Sequence, residues 1–402
     1  MRIAMVHTPL VVRAGGERQI LRLAIELQKQ GNSVEIFTNA VNEERCYPNL
    51  LKKVTINVVP HPFVRFGPFY LRVAKKRANL YDTVFPRMLN IGRSIPKGFD
   101  IINNHNFPTE WAAFFAKKRL KIPVVWMCNE PPFWFFHPEQ RRGSLKSSWP
   151  LFEIFDKIAV AYIDEIAVLS HSAESLVGKI YNRTSKIIRS GVDVEIFHKA
   201  SRQQIRKKYN LQNDFVLLQV GGLIYYRRQI DSLEALFYLS KKYDNVKLIL
   251  DGAGQQEMLR DFSRKLGVEN KVIFLVTDND KELAKIYAAC DVFLYPSEVT
   301  WGLVVTEAMA ARRAVIVSNK AGVSEIIKNN VNGTVVNHAK PKEIAEQVER
   351  LMDDPKLRKK LGENAYEYVK RNLSWEKYAE NMESVFQQTI SNFRRGTRWL
   401  KN

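Results

Sequence analysis

Glu307 is the side chain whose surroundings best suit it to holding a polar ligand. It lies in Asp291–Val317, DVFLYPSEVTWGLVVTEAMAARRAVIV, where the apolar run Val292–Tyr295 meets Pro296-Ser297, a short polar loop, Gly302-Leu303 and a helix-like run. A carboxylate near such a loop-to-helix junction accepts hydrogen bonds from both hydroxyls of a sugar ring or ribose, and the free N–H groups there favour electron-rich ligand atoms. Gly15-Gly16 marks a second junction. A glycine pair lets a phosphate or sugar approach the backbone, and serves equally as a steric solution for a tight turn. Asp278-Asn279-Asp280 carries the oxygen ligands of a metal site. Asp280 stands just before KELAKIYAACD, however, whose apolar spacing is helical, so capping of that helix is the reading adopted.

These residues need strands and helices to hold them. The Asp291 segment reads strand, loop, helix, strand, a βαβ unit. The same plan opens the chain: a strand at Arg2–Thr8, Gly15-Gly16, apolar Ile20, Leu23, Ala24 and Leu27 at helical spacing, a stop at Gly31 and a strand at Val34–Thr38. Further strands are predicted at Asp100–Asn106 and Pro123–Asn129 around a helix Trp111–Leu120, then at Asp164–Ser170 and Lys186–Gly191. A second series follows at Phe215–Val220, Val246–Leu250 and Val272–Val276, and from Pro341 the pattern is helical. The class is α/β, and 402 residues suit two cores of similar size. We place the domains at 1–197 and 198–375, with a last helix in 376–402.

The net charge of +20 concentrates in Leu51–Lys121, where fourteen Lys and Arg face three acids. Such a surface serves nucleic acid, an anionic membrane or a phosphorylated substrate. In Phe63–Leu89, Phe66, Tyr70, Val73 and Leu80 alternate with Arg72, Lys75, Lys76 and Arg77, which favours an amphipathic helix on an anionic membrane surface. The tail FRRGTRWLKN reads as a second such contact. No nucleic-acid-binding module is found, so nucleic acid is not expected as a partner. Cys46, Cys128 and Cys290 are widely spaced and odd in number, which fits buried thiols in a reducing compartment. The first apolar run is broken by His7 and Pro9 and reads as a strand, and no apolar run reaches the about 18 residues a bilayer needs. A cytoplasmic protein, peripheral on the membrane face, is the expectation.

PSEVTWGLVVTEAMA resembles the central motif of the family 4 glycosyltransferases, retaining enzymes of the GT-B fold. Pro296-Ser297, Trp301-Gly302-Leu303 and Glu307-Ala308-Met309-Ala310 fall in register with it, and Gly15-Gly16-Glu17, Gly191-Val192-Asp193 and Val220-Gly221-Gly222-Leu223 are similar to other motifs of the family. The resemblance implies two Rossmann-like domains facing across a cleft, an acceptor on the first and a GDP- or UDP-sugar donor on the second, with the helix in 376–402, through LSWEKYAENMESVF, crossing back to the first domain, and with no metal and no organic cofactor. It implies that Glu307 holds the ribose diol and that Arg227, with Arg228 near it and the backbone of Gly221 and Gly222, holds the diphosphate. Trp301, Gly302 and Leu303 would present N–H groups to the donor, the backbone near Val276 would line the nucleobase, and Gly15 and Gly16 would approach the donor from the first domain. Arg227, Glu298 and Glu307 are then the catalytic candidates, and His105, Asn129 and Glu130 weaker candidates for the acceptor.

Three positions depart from the family pattern. Its first glutamate falls on Val299, with Glu298 beside it; its first cation falls on Gly222; and a strand-terminal histidine is replaced by Asn129. The activity implied is retaining, metal-independent transfer of a hexose to a glycan or lipid-linked acceptor, with WMCNEPP leaning towards mannose. An epimerase of the same fold, and a nucleotide-sugar-binding subunit with weakened catalysis, are the alternatives.

Overall fold

Apolar runs of four to six residues make stable parallel strands only when helices cover both faces. In a computed structural model, which describes residues 1–60, 80–132, 135 and 145–399, they assemble into two such sheets. Met1–Arg189 with Trp375–Asn402 form one unit, and Ser190–Ser374 the other. The first holds β1 (Arg2–Val6), β2 (Ser33–Thr38), β3 (Thr55–Val58), β4 (Ile101–His105), β5 (Val124–Met127), β6 (Glu165–Val168) and β7 (Lys186–Ile187), ordered β3-β2-β1-β4-β5-β6-β7. The second holds β8 (Phe215–Val220), β9 (Val246–Asp251), β10 (Val272–Leu275), β11 (Val292–Tyr295), β12 (Ala314–Ser318) and β13 (Thr334–Val336), ordered β10-β9-β8-β11-β12-β13.

Both orders reverse direction once, between β1 and β4 and between β8 and β11. There the connecting helices leave to opposite faces, and a crevice opens beyond the carboxyl ends of the strands. The residues just after those four strands are therefore the ones the fold offers to a ligand.

Local sequence explains the frame. Ile20, Leu21, Leu23, Ala24 and Leu27 of the helix Gly15–Lys29 are fully buried, which fixes that helix against the first sheet. Its outer side meets the helix Trp375–Trp399, where Asn32 Nδ2 donates to Glu383 Oε1 at 3.1 Å. In the second unit Asp291 ties β11 to β8: its Oδ2 accepts from Val216 N at 2.9 Å and from Arg206 Nη2 at 2.5 Å. Arg206 also donates to the carbonyls of Ala289, Leu211 and Asp214, so every nitrogen of this buried guanidinium is hydrogen-bonded.

The sequence missed β3 and β13, which are short strands of four and three residues at sheet edges. Capping of the helix Asp280–Ala289 falls to Asn279, not Asp280: Asn279 Oδ1 accepts from Glu282 N at 2.8 Å, and Asp280 is the first helical residue. The membrane segment foreseen in Phe63–Leu89 lies outside the described residues up to position 79 and continues as the helix Leu80–Ser94. The end of the basic tail, from Leu400, lies outside them as well. Among the described residues no helix is long and apolar enough to cross a membrane. Cys46, Cys128 and Cys290 are buried and free.

Two acids are sealed in the first core. Asp156 accepts from Trp111 Nε1 at 2.9 Å and from the Tyr181 hydroxyl at 2.8 Å. Glu110 is fully buried beside it, and burial together with the Asp156 charge pushes the Glu110 carboxyl well above its usual range. Glu110 thus keeps its proton in the folded chain, whereas the unfolded chain releases it near pH 4.5. Stability from this group is complete below that pH and is lost as pH rises. Glu110→Gln, a neutral analogue, should therefore gain stability on the native protein above pH 4.5, by up to about 1.4 kcal/mol per pH unit. Urea unfolding at a series of pH values checks this; parallel curves for the two proteins would remove the buried proton from the account.

Candidate functional site

In the second unit the chain leaves β8 through Gly221, whose φ of +132° suits glycine alone. Gly221 N donates to Asp251 O at 2.9 Å and Leu223 N to Ala253 O at 2.8 Å, so the turns after β8 and β9 run side by side. A single 3-10 turn, Tyr225–Arg227, then brings Arg227 back over the strand ends. Its carbonyl accepts from Gln219 Nε2 at 2.7 Å and Ser297 Oγ at 3.3 Å.

The Arg227 guanidinium donates through Nη1 to the hydroxyl of Tyr295, the last residue of β11. That hydroxyl in turn donates to Trp301 O at 3.2 Å. Against the same ring lies Gly302, where an added Cβ would come within 2.8 Å of the aromatic carbons. No larger residue fits. Gly302 starts the helix Leu303–Ala310, which carries Glu307. Glu307 is 4% exposed and its Oε2 accepts from the Tyr287 hydroxyl at 2.9 Å.

The remaining candidates separate into those at this edge and those held elsewhere. Gly222 is exposed beside Gly221, and Leu303 is half-buried. Val276 is 63% exposed, and the backbone next to it is fixed by Asp251, whose Oδ1 accepts from Thr277 N at 2.9 Å. Burial raises the Asp251 carboxyl above its ordinary range. Arg228 does not join Arg227: both Asp231 oxygens hold its guanidinium, at 2.7 and 2.6 Å. Val299 is buried and its carbonyl accepts from Gly322 N at 2.8 Å, while Glu298 carries its carboxylate to within 3.6 Å of His338 Nε2.

The first unit builds a second polar edge. His7 follows β1, Asn106 follows β4, and Asn129 stands just past β5. His7 Nδ1 faces Thr8 O at 2.9 Å, so it carries the proton, and Nε2 accepts from Asn106 Nδ2 at 3.1 Å. Asn129 Nδ2 donates to Asn106 Oδ1 at 2.6 Å, which completes the chain. Gly16 stands against Asn106: an added Cβ would lie 2.5 Å from its Nδ2. Gly15 and Gly16 open their helix and so sit beside this chain. Burial pushes the His7 imidazole down to about 4, which leaves it neutral.

His105, an acceptor candidate from sequence, is corrected by this geometry. Its side chain is fully buried and bonds Asn103 Oδ1 at 2.8 Å, so it points into the sheet packing and not out of the strand end. Glu130 is half-buried after Asn129. His7, Asn106, Tyr295, Tyr287 and Asp251 were not recognised as site residues in the sequence. Strand ends at a reversal of order would have flagged His7, Asn106 and Tyr295, because that is where both clusters formed. Among the described residues no group of three or more His, Cys, Asp or Glu side chains is arranged to hold a metal.

Residues 13–196 match the family model for glycosyltransferase family 4, and residues 201–368 match that for glycosyl transferases group 1. The chain belongs to the family 4 glycosyltransferases. An uncharacterised glycosyltransferase of Methanocaldococcus jannaschii is 26% identical over 96% of this glycosyltransferase and 98% of its own length. The D-inositol 3-phosphate glycosyltransferase of Corynebacterium glutamicum is 24% identical over 98% of each. Among solved structures, Anabaena HepE in complex with UDP-glucose has a TM-score of 0.76 at 17% identity, covering 96% of this chain and 100% of that one. The fold is GT-B, with a seven-stranded and a six-stranded parallel sheet.

Two measurements test this geometry in the glycosyltransferase. Gly302→Ala should cost about 1–3 kcal/mol in urea unfolding, since the Tyr295 ring it would strike is held at its far end and cannot retreat; a neutral result would mean the ring is free to move. For His7, the unfolded side chain takes up a proton near pH 6.5 while the folded one resists until about pH 4. Its share of stability is thus intact above pH 6.5 and falls on acidification, by about 3 kcal/mol at the lower limit. His7→Gln should lose that acid limb relative to the native protein, and an unchanged difference between pH 7 and 4 would contradict a buried neutral imidazole.

Proposed function

We propose that this glycosyltransferase moves a hexose, with retention, from a nucleotide-diphosphate sugar to a glycan or lipid-linked acceptor. The observation that carries the reading is the gathering of Arg227 and Gly302 about Tyr295, with paired glycine turns after β8 and β9 and with Glu307 on the helix that follows Gly302. In this reading Arg227 and the N–H groups around Gly221 and Gly222 hold the diphosphate, and Glu307 accepts from the ribose diol. The backbone at Val276, steadied by Asp251, lines the base, and Glu298 reaches the sugar hydroxyls. HepE, crystallised with UDP-glucose, supports a donor of this class. The first unit takes the acceptor, with Asn129 and Glu130 at its strand ends and the neutral His7–Asn106 chain behind them.

Retention needs no dedicated carboxylate base. The departing phosphate takes the acceptor's proton on the face it leaves, so the protein's work is positioning and stabilising phosphate charge. No metal enters this scheme, since Arg227 and backbone N–H groups meet the diphosphate. Val299 and Gly222, where the family pattern has a glutamate and a cation, favour as a second reading a subunit that binds donor with weakened turnover.

Mass detection of products from a donor panel including GDP-mannose and UDP-glucose, over glycan and lipid-linked acceptors, tests the reading. Glu307→Ala and Arg227→Ala should each lower kcat/KM by about one to three orders of magnitude, the loss of one charge-assisted contact worth about 1.4–4 kcal/mol in the transition state. Near-native turnover in either variant would remove that residue from the site. Nucleotide binding by calorimetry with no turnover of any donor would select the second reading.

A further inference from the structure

The helix Leu145–Ala161 is built backwards for a surface helix of a water-facing protein. Its inner side, Phe152, Asp156, Ala159 and Val160, is buried in the first core. Its outer side, where polar residues belong, carries Leu151, Ile154 and Ile158, and Tyr162 continues the line; they are 69%, 57%, 45% and 42% exposed. At 100° per residue these four fall within about 80° of the helix circumference, so they form one stripe. Eleven large hydrophobic side chains are exposed among the described residues, and four of them fall in these twelve positions, so scatter does not explain the stripe.

Cations border it. Lys118 Nζ lies 5.1 Å from the centre of the Tyr162 ring and 4.5 Å from that of Phe114. Lys118, Arg119 and Lys121 are exposed at the end of the helix Thr109–Leu120, which packs against the stripe's helix, and Lys157 is exposed on that helix itself. The nearby acids are engaged: Glu153 pairs with Lys157 at 2.7 Å and Asp164 with Lys117 at 2.6 Å.

We propose that this face docks on an anionic lipid bilayer, with Leu151, Ile154, Ile158 and Tyr162 entering the interfacial layer and Lys118 and Lys121 meeting the headgroup charge, while the Arg119 guanidinium donates to the Ile95 carbonyl. A second copy of the chain is a poorer occupant, because two such faces would bring like cations together. The proposal goes beyond the transfer reaction and does not rest on it.

The test is co-sedimentation of the full chain with vesicles of phosphatidylglycerol and phosphatidylcholine in equal parts, and with phosphatidylcholine alone. The native protein should prefer the anionic vesicles, and added salt should weaken binding. The triple variant Leu151→Ser, Ile154→Ser, Ile158→Ser should partition at least about tenfold less, as should the single variant Ile154→Asp, which guards against a misfolded triple. Lys118→Glu with Lys121→Glu should lower anionic binding by about fivefold or more per charge and flatten its salt dependence. Donor turnover on a water-soluble acceptor should be unchanged in all of them, so loss of docking is read separately from loss of transfer. Native-like vesicle binding by the triple variant would overturn the proposal, as would equal binding to both vesicle types. So would sedimentation velocity showing a concentration-dependent dimer that the triple variant abolishes.

Discussion

One hydroxyl organises the polar edge of the second unit. Tyr295 Oη accepts from Arg227 and donates to Trp301 O, so both capacities of a single buried oxygen are used. A hydrogen bond to a charged group contributes about 1.5–3 kcal/mol. Fixing an arginine side chain costs about 2 kcal/mol of rotamer entropy. The two are of like size, so the tyrosine offsets the ordering of Arg227 before any ligand arrives. In the proposed reading, a guanidinium already in place needs no reorganisation when phosphate charge develops beside it, and this is the condition under which electrostatic stabilisation is largest. Gly302 belongs to the same device, since only a residue without a Cβ lets the loop close over the ring.

The two units solve one problem with different chemistry. A strand that ends at a reversal of sheet order presents its last polar groups to a crevice, and groups left unpaired there would cost about 1–3 kcal/mol each. The second unit satisfies them with a cation, a tyrosine and glycine turns. The first uses neutral groups: an imidazole kept uncharged by burial, and two amides aligned by it. The His7–Asn106–Asn129 chain itself carries no charge, and it keeps its hydrogen bonds across the pH range in which a solvent-exposed histidine would titrate.

Much of this architecture was readable beforehand, and the reasons are local. Phe215–Val220 and Val292–Tyr295 are bounded by glycine, proline or an acid, and both strands formed at the residues predicted. The Trp301-Gly302-Leu303 and Glu307 spacing announced the loop-to-helix junction. The edge strands β3 and β13 went unseen because three or four residues carry no periodicity of their own; sheet pairing makes them strands. His7 and Asn106 escaped notice for a different reason. Each is ordinary in its own segment, and the two are 99 positions apart, so only the pairing of β1 with β4 brings them together. His105 was the opposite error: strand alternation turns it to the packed face and gives the next residue, Asn106, the crevice.

The charge at the turn after β8 is smaller than the sequence suggests, and in the proposed reading this bears on how the site would hold a diphosphate. Arg227 and Arg228 are adjacent, yet Arg228 is bidentate to Asp231, which is nearly fully buried, so that pair contributes no net charge. Gly222 stands where the family pattern has its first cation. Arg227 is left to act with the N–H groups of a glycine turn and the first turn of the helix Gln229–Ser240, whose dipole adds about half a positive charge. Two mobile lysines would bring more charge but would have to be ordered by the ligand, at about 2 kcal/mol each. One oriented guanidinium with preset N–H groups gives up charge and keeps direction. In a site where the transition state differs from the bound donor mainly in where phosphate charge sits, direction is the quantity that discriminates between them.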